Sequence, residues 1–335
     1  MTRKRSLRSG MVAALAVFAL AAAGCDGFNN PLKPFISESL APPGSGNPGG
    51  LGGYGDGTAI DPFLISEREH LERINSTDPS YSAWTLSAYY ELVANIDLSV
   101  SPWVPIGSSP PGNGFSGHFN GNGHTINGLT IDSTPIRPGG DGLFGYVATG
   151  GVVRNLGLTN VDISVTSQNV GGIAGNSRGT IVNSFVEGTI TGVNFVGGIV
   201  GRQLNPGRVQ HTYAKVTVTI TNSGSIGGIA GGAGGTVEDN VVLYSLIDGA
   251  SATHWRRVVG DSWSATLSNN HVSNSGTALA SVGVSERDGA DSDNITNNAT
   301  QWGMAIPTWG FGTHWEWHSP TDMPQLRTPA PPWVP

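Results

Sequence analysis

The chain has 335 residues, among them 50 Gly and 21 Pro, and only 12% of its residues are charged, about half the roughly 25% of an average soluble domain. A hydrophobic fraction of 38% is too high for a disordered polar chain and too low for a multi-span membrane protein. The net charge of −7 and the absence of a basic stripe interleaved with aromatics argue against nucleic acid as a partner, because such a surface must neutralise phosphates.

Arg3, Lys4, Arg5 and Arg8 precede an uncharged apolar run of 13 residues from Met11 to Ala23. As a helix that run spans about 20 Å, short of a hydrocarbon core of about 30 Å, so residues 1–24 read as a secretion signal and not as a permanent span. Ala21-Ala22-Ala23-Gly24 leads into Cys25, the single cysteine. This stretch resembles the lipobox of bacterial lipoproteins, which implies cleavage before Cys25 and acylation of its thiol. A lone cysteine could close no intramolecular disulfide in an oxidising compartment. The expected partner is therefore a membrane, held through a lipid anchor in the cell envelope, outer membrane or cell surface. Without residues 1–24 the chain has 13 positive against 24 negative residues, or −11.

Residues 25–57 run through Pro42-Pro43-Gly44-Ser45-Gly46-Asn47-Pro48-Gly49-Gly50 and read as a flexible tether. From Thr58 the composition changes. Ile60 to Ile65 reads as a strand, and Ser66 to Ile74 as a short helix with Ser66 as N-cap and Glu69 completing a capping box. Leu71 and Ile74 give this helix an apolar face suited to covering one end of a larger β body. Tyr89 to Leu98 then alternates as a strand does.

The organising pattern follows. Gly142-Leu143-Phe144-Gly145, Gly172-Ile173-Ala174-Gly175, Gly198-Ile199-Val200-Gly201 and Gly228-Ile229-Ala230-Gly231 recur 30, 26 and 30 residues apart, and Val258-Val259-Gly260 follows 29 further on. Between markers lie two or three short strand-like segments joined by Gly or Asn turns, which excludes βα solenoids. The expected fold is all-β: a right-handed parallel β-helix over 58–275, with a short N-terminal cap helix and an aromatic C-terminal cap over 276–335. Gly and Asn are expected at coil corners, where φ > 0 is needed. Asn155, Asn183, Asn240 and Asn269 are expected to stack as a ladder at one corner, with His211 as a substitute donor.

The markers resemble those of the GLUG-motif proteins, bacterial surface and secreted proteins named for the Gly-Leu-x-Gly form seen at Gly142 to Gly145. Gly57 to Ile65, Asn95-Ile96-Asp97-Leu98, Phe115 to Leu129, and Trp315-Glu316-Trp317 followed by Pro324-Gln325-Leu326 are similar to that family too. The resemblance covers about residues 56–327. It implies a right-handed parallel β-helix on or outside the cell, as in adhesin-like proteins and beside the catalytic parts of IgA-cleaving metallopeptidases, without implying one activity.

No catalytic residue and no cofactor is assigned. The zincin motif His-Glu-x-x-His is absent. His314, Glu316 and His318 would share one face of a strand and could approach a metal, but Trp315 and Trp317 on the other face favour a hydrophobic cap over the last coil. Asp132 and Asp162, each eleven residues before the apolar residue of the next marker, could stack as an acidic site for Ca²⁺ or for glycan cleavage, with Arg137 or Arg154 as charge partner. Solvated turn residues are the simpler reading. Trp302, Trp309, Trp315, Trp317 and Trp333 crowd the last 34 residues; exposed tryptophans stack on sugars, while buried ones close the solenoid. The expected role is a non-enzymatic, adhesin-like one towards a glycan, a matrix component or an envelope protein. A carbohydrate-active enzyme and a purely structural component are the alternatives.

Overall fold

A computed structural model describes residues 55–74, 76–108, 113–132, 138–243, 247–248, 253–273, 290–292, 313–318 and 323–328. Residues 1–24, Cys25, most of the tether, Arg137, Trp302, Trp309 and Trp333 lie outside the described residues, as do the side chains of Trp317 and His318. All described residues belong to the compact unit Pro43–Pro335.

The chain forms a parallel β-solenoid of about seven turns. Phe63–Ile65 pairs in parallel with Tyr89–Leu92, which pairs with His118–Asn120, then Val152–Arg154, Thr180–Gly192, Arg208–Ile220, Thr236–Glu238 and Thr266–Ser268. The stack continues past residue 275, the expected limit, because Ala290–Ser292 pairs in parallel with His271–Ser273. Each coil places a second run on the same large sheet, as in Gly157–Ser164 beside Thr180–Gly192. It then crosses two small sheets. One holds Asn169–Gly171, Phe195–Gly197, Ser225–Gly227 and His254–Arg256. The other holds Phe144–Val147, Ala174–Ser177, Val200–Gln203, Ala230–Ala233 and Val259–Ser262. Parallel strands buried on one side need apolar residues at alternate positions. Val153, Ile181, Val209 and Val237 accordingly stack in one fully buried column.

Two 13-residue strands, Thr180–Gly192 and Arg208–Ile220, exceed the four to six residues expected. A left-handed residue inside each, Asn183 at φ +47° and His211 at +52°, bends the strand without ending its pairing with adjacent coils. This corner column reads Asn155, Asn183, His211, Asp239 and Asn269, every member at φ between +47° and +55°. The expected column of corner residues therefore forms, with one correction, while the recorded side-chain contacts along it are those of Asp239 with His211 and Asn269. Asp239, not Asn240, occupies the fourth position, since Val237 stacks on Val209 and the corner comes two residues later. Asn240 belongs to an inner polar column instead. Its Oδ1 accepts from Thr212 N (3.0 Å) and Oγ1 (2.8 Å), and its Nδ2 donates to Asn270 Oδ1 (3.0 Å) and to the Val209 carbonyl (3.1 Å). All of this lies in the interior, where an unpaired amide would be costly.

The markers stack as the period requires. Leu143, Ile173, Ile199, Ile229 and Val258 form a fully buried column, and the backbone ladder runs through it, for example Ile173 N to Ile199 O at 3.0 Å and Ile199 N to Ile229 O at 3.0 Å. Their glycines are not corners, contrary to expectation. Gly142, Gly145, Gly172, Gly175, Gly198, Gly201, Gly228 and Gly231 are all outside the positive-φ region. Close approach makes them glycine instead: at the second glycine the two small sheets meet backbone to backbone, a Cβ on Gly201 standing 2.4 Å from Val170 N and one on Gly231 2.3 Å from Val196 N, while at the first a Cβ on Gly198 would stand 2.2 Å from the Gly228 carbonyl of the next coil and 2.8 Å from Val216 Cγ2.

At the N-terminal end, the helix Arg68–Arg73 buries Leu71, and Ile74 follows it into the core, as expected of a cap. Its start differs: Glu67 is the N-cap, with no side-chain cap, and the capping box does not form. Ser66 N instead donates to the buried His70 ring at Nδ1 (3.2 Å), one helical turn on. Of the aromatic C-terminal segment, the described residues are Ala290–Ser292, a hairpin and its flanks. The antiparallel hairpin of Trp315–His318 and Met323–Leu326 docks on the side of the solenoid. Trp315 is fully buried against Tyr213 (5.8 Å between ring centroids) and Phe185 (6.5 Å) of two central coils, and Thr328 Oγ1 donates to Gly123 O at 3.3 Å. Phe185 and Tyr213 stack 4.8 Å apart and nearly parallel, so they form an apolar patch broad enough to hold the indole.

Candidate functional site

The acidic pair does not stack. Thr130 pairs with Asp162 and Ile131 with Ile163, so Asp132 falls two residues beyond register with Asp162. Both side chains are exposed on the outer face, where alternation about the buried Ile131 and Ile163 puts them. Arg154 stands elsewhere, at the strand end beside the left-handed corner, where burial lowers its pKa against the opposing pull of Glu91.

On the docked hairpin, Trp315 faces the solenoid while Glu316 is partly exposed and close to Arg327 (3.9 Å). His314 is half-buried, and burial together with nearby Arg154 lowers its pKa. Among the described residues no group of three or more His, Cys, Asp or Glu is gathered as a metal site would need. His211, in the corner column, stands 3.5 Å from Asp239. Burial lowers its pKa most, and His314 adds to that, against the raising influence of Asp239 and Glu238.

The most distinctive exposed constellation was not singled out by the sequence. Trp263 is 43% exposed, unusual for so large an apolar side chain on this molecule. Its indole packs against Gly232 and Gly234 of the preceding coil. A Cβ on Gly234 would stand 2.1 Å from the indole Nε1, and one on Gly232 2.8 Å from its six-membered ring. Bare backbone is thus what lets the indole pack there. Phe195 of the coil before meets Trp263 edge-on at 6.1 Å. The guanidinium of Arg202 sits over both rings, 4.8 Å from the Phe195 centroid and 5.2 Å from that of Trp263. Cation–π contacts at these distances contribute about 0.5–2 kcal/mol each, enough to fix the indole in place.

Arg202 stands in register with Asn176 on one side and Gly232 on the other. Asn176 is itself fixed by donating from Nδ2 to the Gly139 carbonyl at 2.6 Å. Arg178, exposed, donates to the Asn205 carbonyl at 2.5 Å. Burial lowers the Arg202 pKa, and the neighbouring positive Arg178 lowers it further. Chemically, this is a rigid aromatic platform with fixed cations beside it, and no nucleophile–base pair is built into it among the described residues. A sequence signal was present: a run of four glycines in five residues, followed one coil later by a tryptophan.

No family model matches this chain. The chain is 38% identical over 157 residues, 44% of its length, to "Halomucin" of Haloquadratum walsbyi, of which the match covers 2%. It is 37% identical over 135 residues, 40% of its length, to a "Putative Gly-rich membrane protein" of Evansella cellulosilytica, of which the match covers 15%. The chain thus spans a small part of the curated relatives it matches. Among solved structures it is similar to a crystal structure of "a putative immunoglobulin A1 protease" from Bacteroides ovatus, with a TM-score of 0.56 and 20% identity over 82% of this chain and 94% of that one. At that identity the likeness extends to the fold alone.

Proposed function

We propose that this chain is a lipid-anchored protein of the bacterial envelope, attached through Cys25, whose solenoid presents a glycan-binding face and does no chemistry of its own. The observation that carries the reading is the Trp263 platform: a partly exposed indole held rigid by Arg202 and Phe195 on a bed of glycines. An apolar ring face of this kind stacks on the C–H face of a sugar, and a ring already immobilised loses little entropy on binding. The relative named as a membrane protein and the resemblance to GLUG-motif surface proteins support an envelope location. Cys25, in its lipobox-like context, supplies the anchor in this reading, and Cys25→Ser releases the protein from membranes.

Two features support binding over cleavage. Asp132 and Asp162 are exposed and out of register, and among the described residues the platform has no carboxylate pair of the kind that glycosidases use. The test incubates the full-length protein with a panel of polysaccharides and scores both retention and the size of the recovered glycan. Retention of intact polymer is the expected result. Shortened products would convert the reading to an enzyme, and those products should then vanish in Asp132→Asn or Asp162→Asn. An absence of both retention and cleavage would refute glycan recognition.

A further inference from the structure

We infer that the platform selects an acidic glycan, one whose sugars carry carboxylate or sulfate groups; this rests on the glycan-binding reading above and names its ligand class. The argument is one of uncompensated charge. The chain has 24 acidic residues against 17 basic ones, so an arginine on its surface should find a carboxylate easily. Others do: Arg68 pairs with Glu72 at 2.7 Å, Arg208 with Glu238 at 3.1 Å, and Arg327 approaches Glu316 at 3.9 Å. Arg202 makes no ion pair with any described residue, and its Nε, sealed from solvent, meets no acceptor among them. The charged group that most affects it is Arg178, a like charge.

Arg178 comes two residues after Asn176, the register partner of Arg202, and like charges on neighbouring coils, one of them desolvated beside aromatic rings, raise each other's energy unless an anion arrives. The contacts with the rings hold the Arg202 guanidinium, but none of the protein's many carboxylates forms an ion pair with it among the described residues. A negatively charged ligand relieves the repulsion and finds a planar guanidinium suited to bidentate contact with carboxylate or sulfate. The indole beside it supplies the surface for the sugar ring. The positions agree: Arg202 and Trp263 are in direct contact, so one acidic monosaccharide can meet both. The surrounding negative field of the protein disfavours neighbouring sites for the same polymer, which concentrates binding here.

The test uses affinity electrophoresis of the detergent-solubilised full-length protein through gels containing polygalacturonate, chondroitin sulfate or neutral galactan. Both acidic polymers are expected to retard the protein at least tenfold more strongly than galactan, with retardation falling as salt rises. Arg202→Gln should lose about tenfold for the acidic polymers and, because it also frees the indole, about twofold for galactan. Arg178→Gln, at an exposed side chain whose recorded hydrogen bond is to the Asn205 carbonyl, should lose about threefold for the acidic polymers and keeps the test valid if Arg202→Gln unfolds. Polygalacturonate alone or chondroitin sulfate alone in the retarding gel would assign the anion as carboxylate or sulfate. Equal retardation by galactan, unmoved in both arginine variants, would overturn the acidic selectivity while leaving glycan binding intact. No retardation by any polymer would overturn both.

Discussion

Gly201→Ala tests why the repeat marker contains glycine. The added Cβ would lie 2.4 Å from Val170 N, 2.6 Å from Gly175 O and 2.8 Å from Asn169 C, all of them backbone atoms of the preceding coil. No side chain can swing aside, so the small sheets must part by about 1 Å to reach ordinary contact. Coils in this stack are hydrogen-bonded about 4.8 Å apart, and a 1 Å opening stretches two or three backbone bonds beyond useful length. At about 1 kcal/mol for each, with some lost packing, the cost is roughly 3 kcal/mol. The control is Gly150→Ala. Gly150 has φ +87° and open space around its Cβ position, so its cost is local backbone strain of about 1 kcal/mol. Urea denaturation of the two variants, with hydrogen exchange at Val196 to Gly201 as a local readout, should place Gly201→Ala well below Gly150→Ala. Equal stabilities, or a Gly201→Ala protein within about 0.5 kcal/mol of the parent, would refute close approach as the reason for the marker glycines.

Gln203 is fully buried, and neither its Oε1 nor its Nε2 finds a hydrogen-bond partner among the described residues; Gln203→Leu should therefore be neutral or stabilising by about 1–2 kcal/mol in urea denaturation, and a clear loss would mean that the amide is satisfied. Trp315→Ala should cost about 3 kcal/mol of hairpin docking, seen as faster hydrogen exchange across 323–328 while the core of the solenoid, Ile173 to Val200, stays protected; loss of protection throughout would show that the hairpin is integral to the stack. Stability should also fall on acidification. Burial lowers the pKa of His118, His211, His271 and His314 below the usual 6.5, most directly opposed at His211 and His271 by Asp239. The unfolded chain then binds protons that the folded one resists, so these groups stabilise the fold fully above pH 6.5 and progressively less as pH drops towards 5. A melting temperature that rises over that interval would contradict the burial of these rings. His211→Asn, which restores the corner residue found at Asn155 and Asn183, should flatten part of the slope.

The solenoid was legible because each coil repeats one demand: an apolar residue for the central column, at Leu143, Ile173, Ile199 and Ile229, flanked by glycine. The reason for the glycine was not legible. Period and composition alone do not distinguish a positive φ from a close approach, and only the backbone-to-backbone meeting of the small sheets decides it. A ladder of like amides points to Asn240, whereas left-handed backbone accepts Asp and His as well, and Asp239 takes the corner. Lateral docking of Trp315 depends on Tyr213 and Phe185, more than a hundred residues away, and no local pattern encodes that pairing. The Trp263 platform hid for a related reason. Its cation, Arg202, and its glycine bed lie in two earlier coils, so its parts converge only when the 26- and 30-residue periods are laid over one another.

Retention of the full-length protein and of its Trp263→Ala variant on the same immobilised glycan panel tests the central claim most directly. The indole is exposed and packs on glycine backbone, so its removal should leave the solenoid folded, as circular dichroism would verify. The account predicts that the parent is retained on at least one acidic glycan and that Trp263→Ala loses at least tenfold in retention there. Undiminished retention by the folded variant would contradict it.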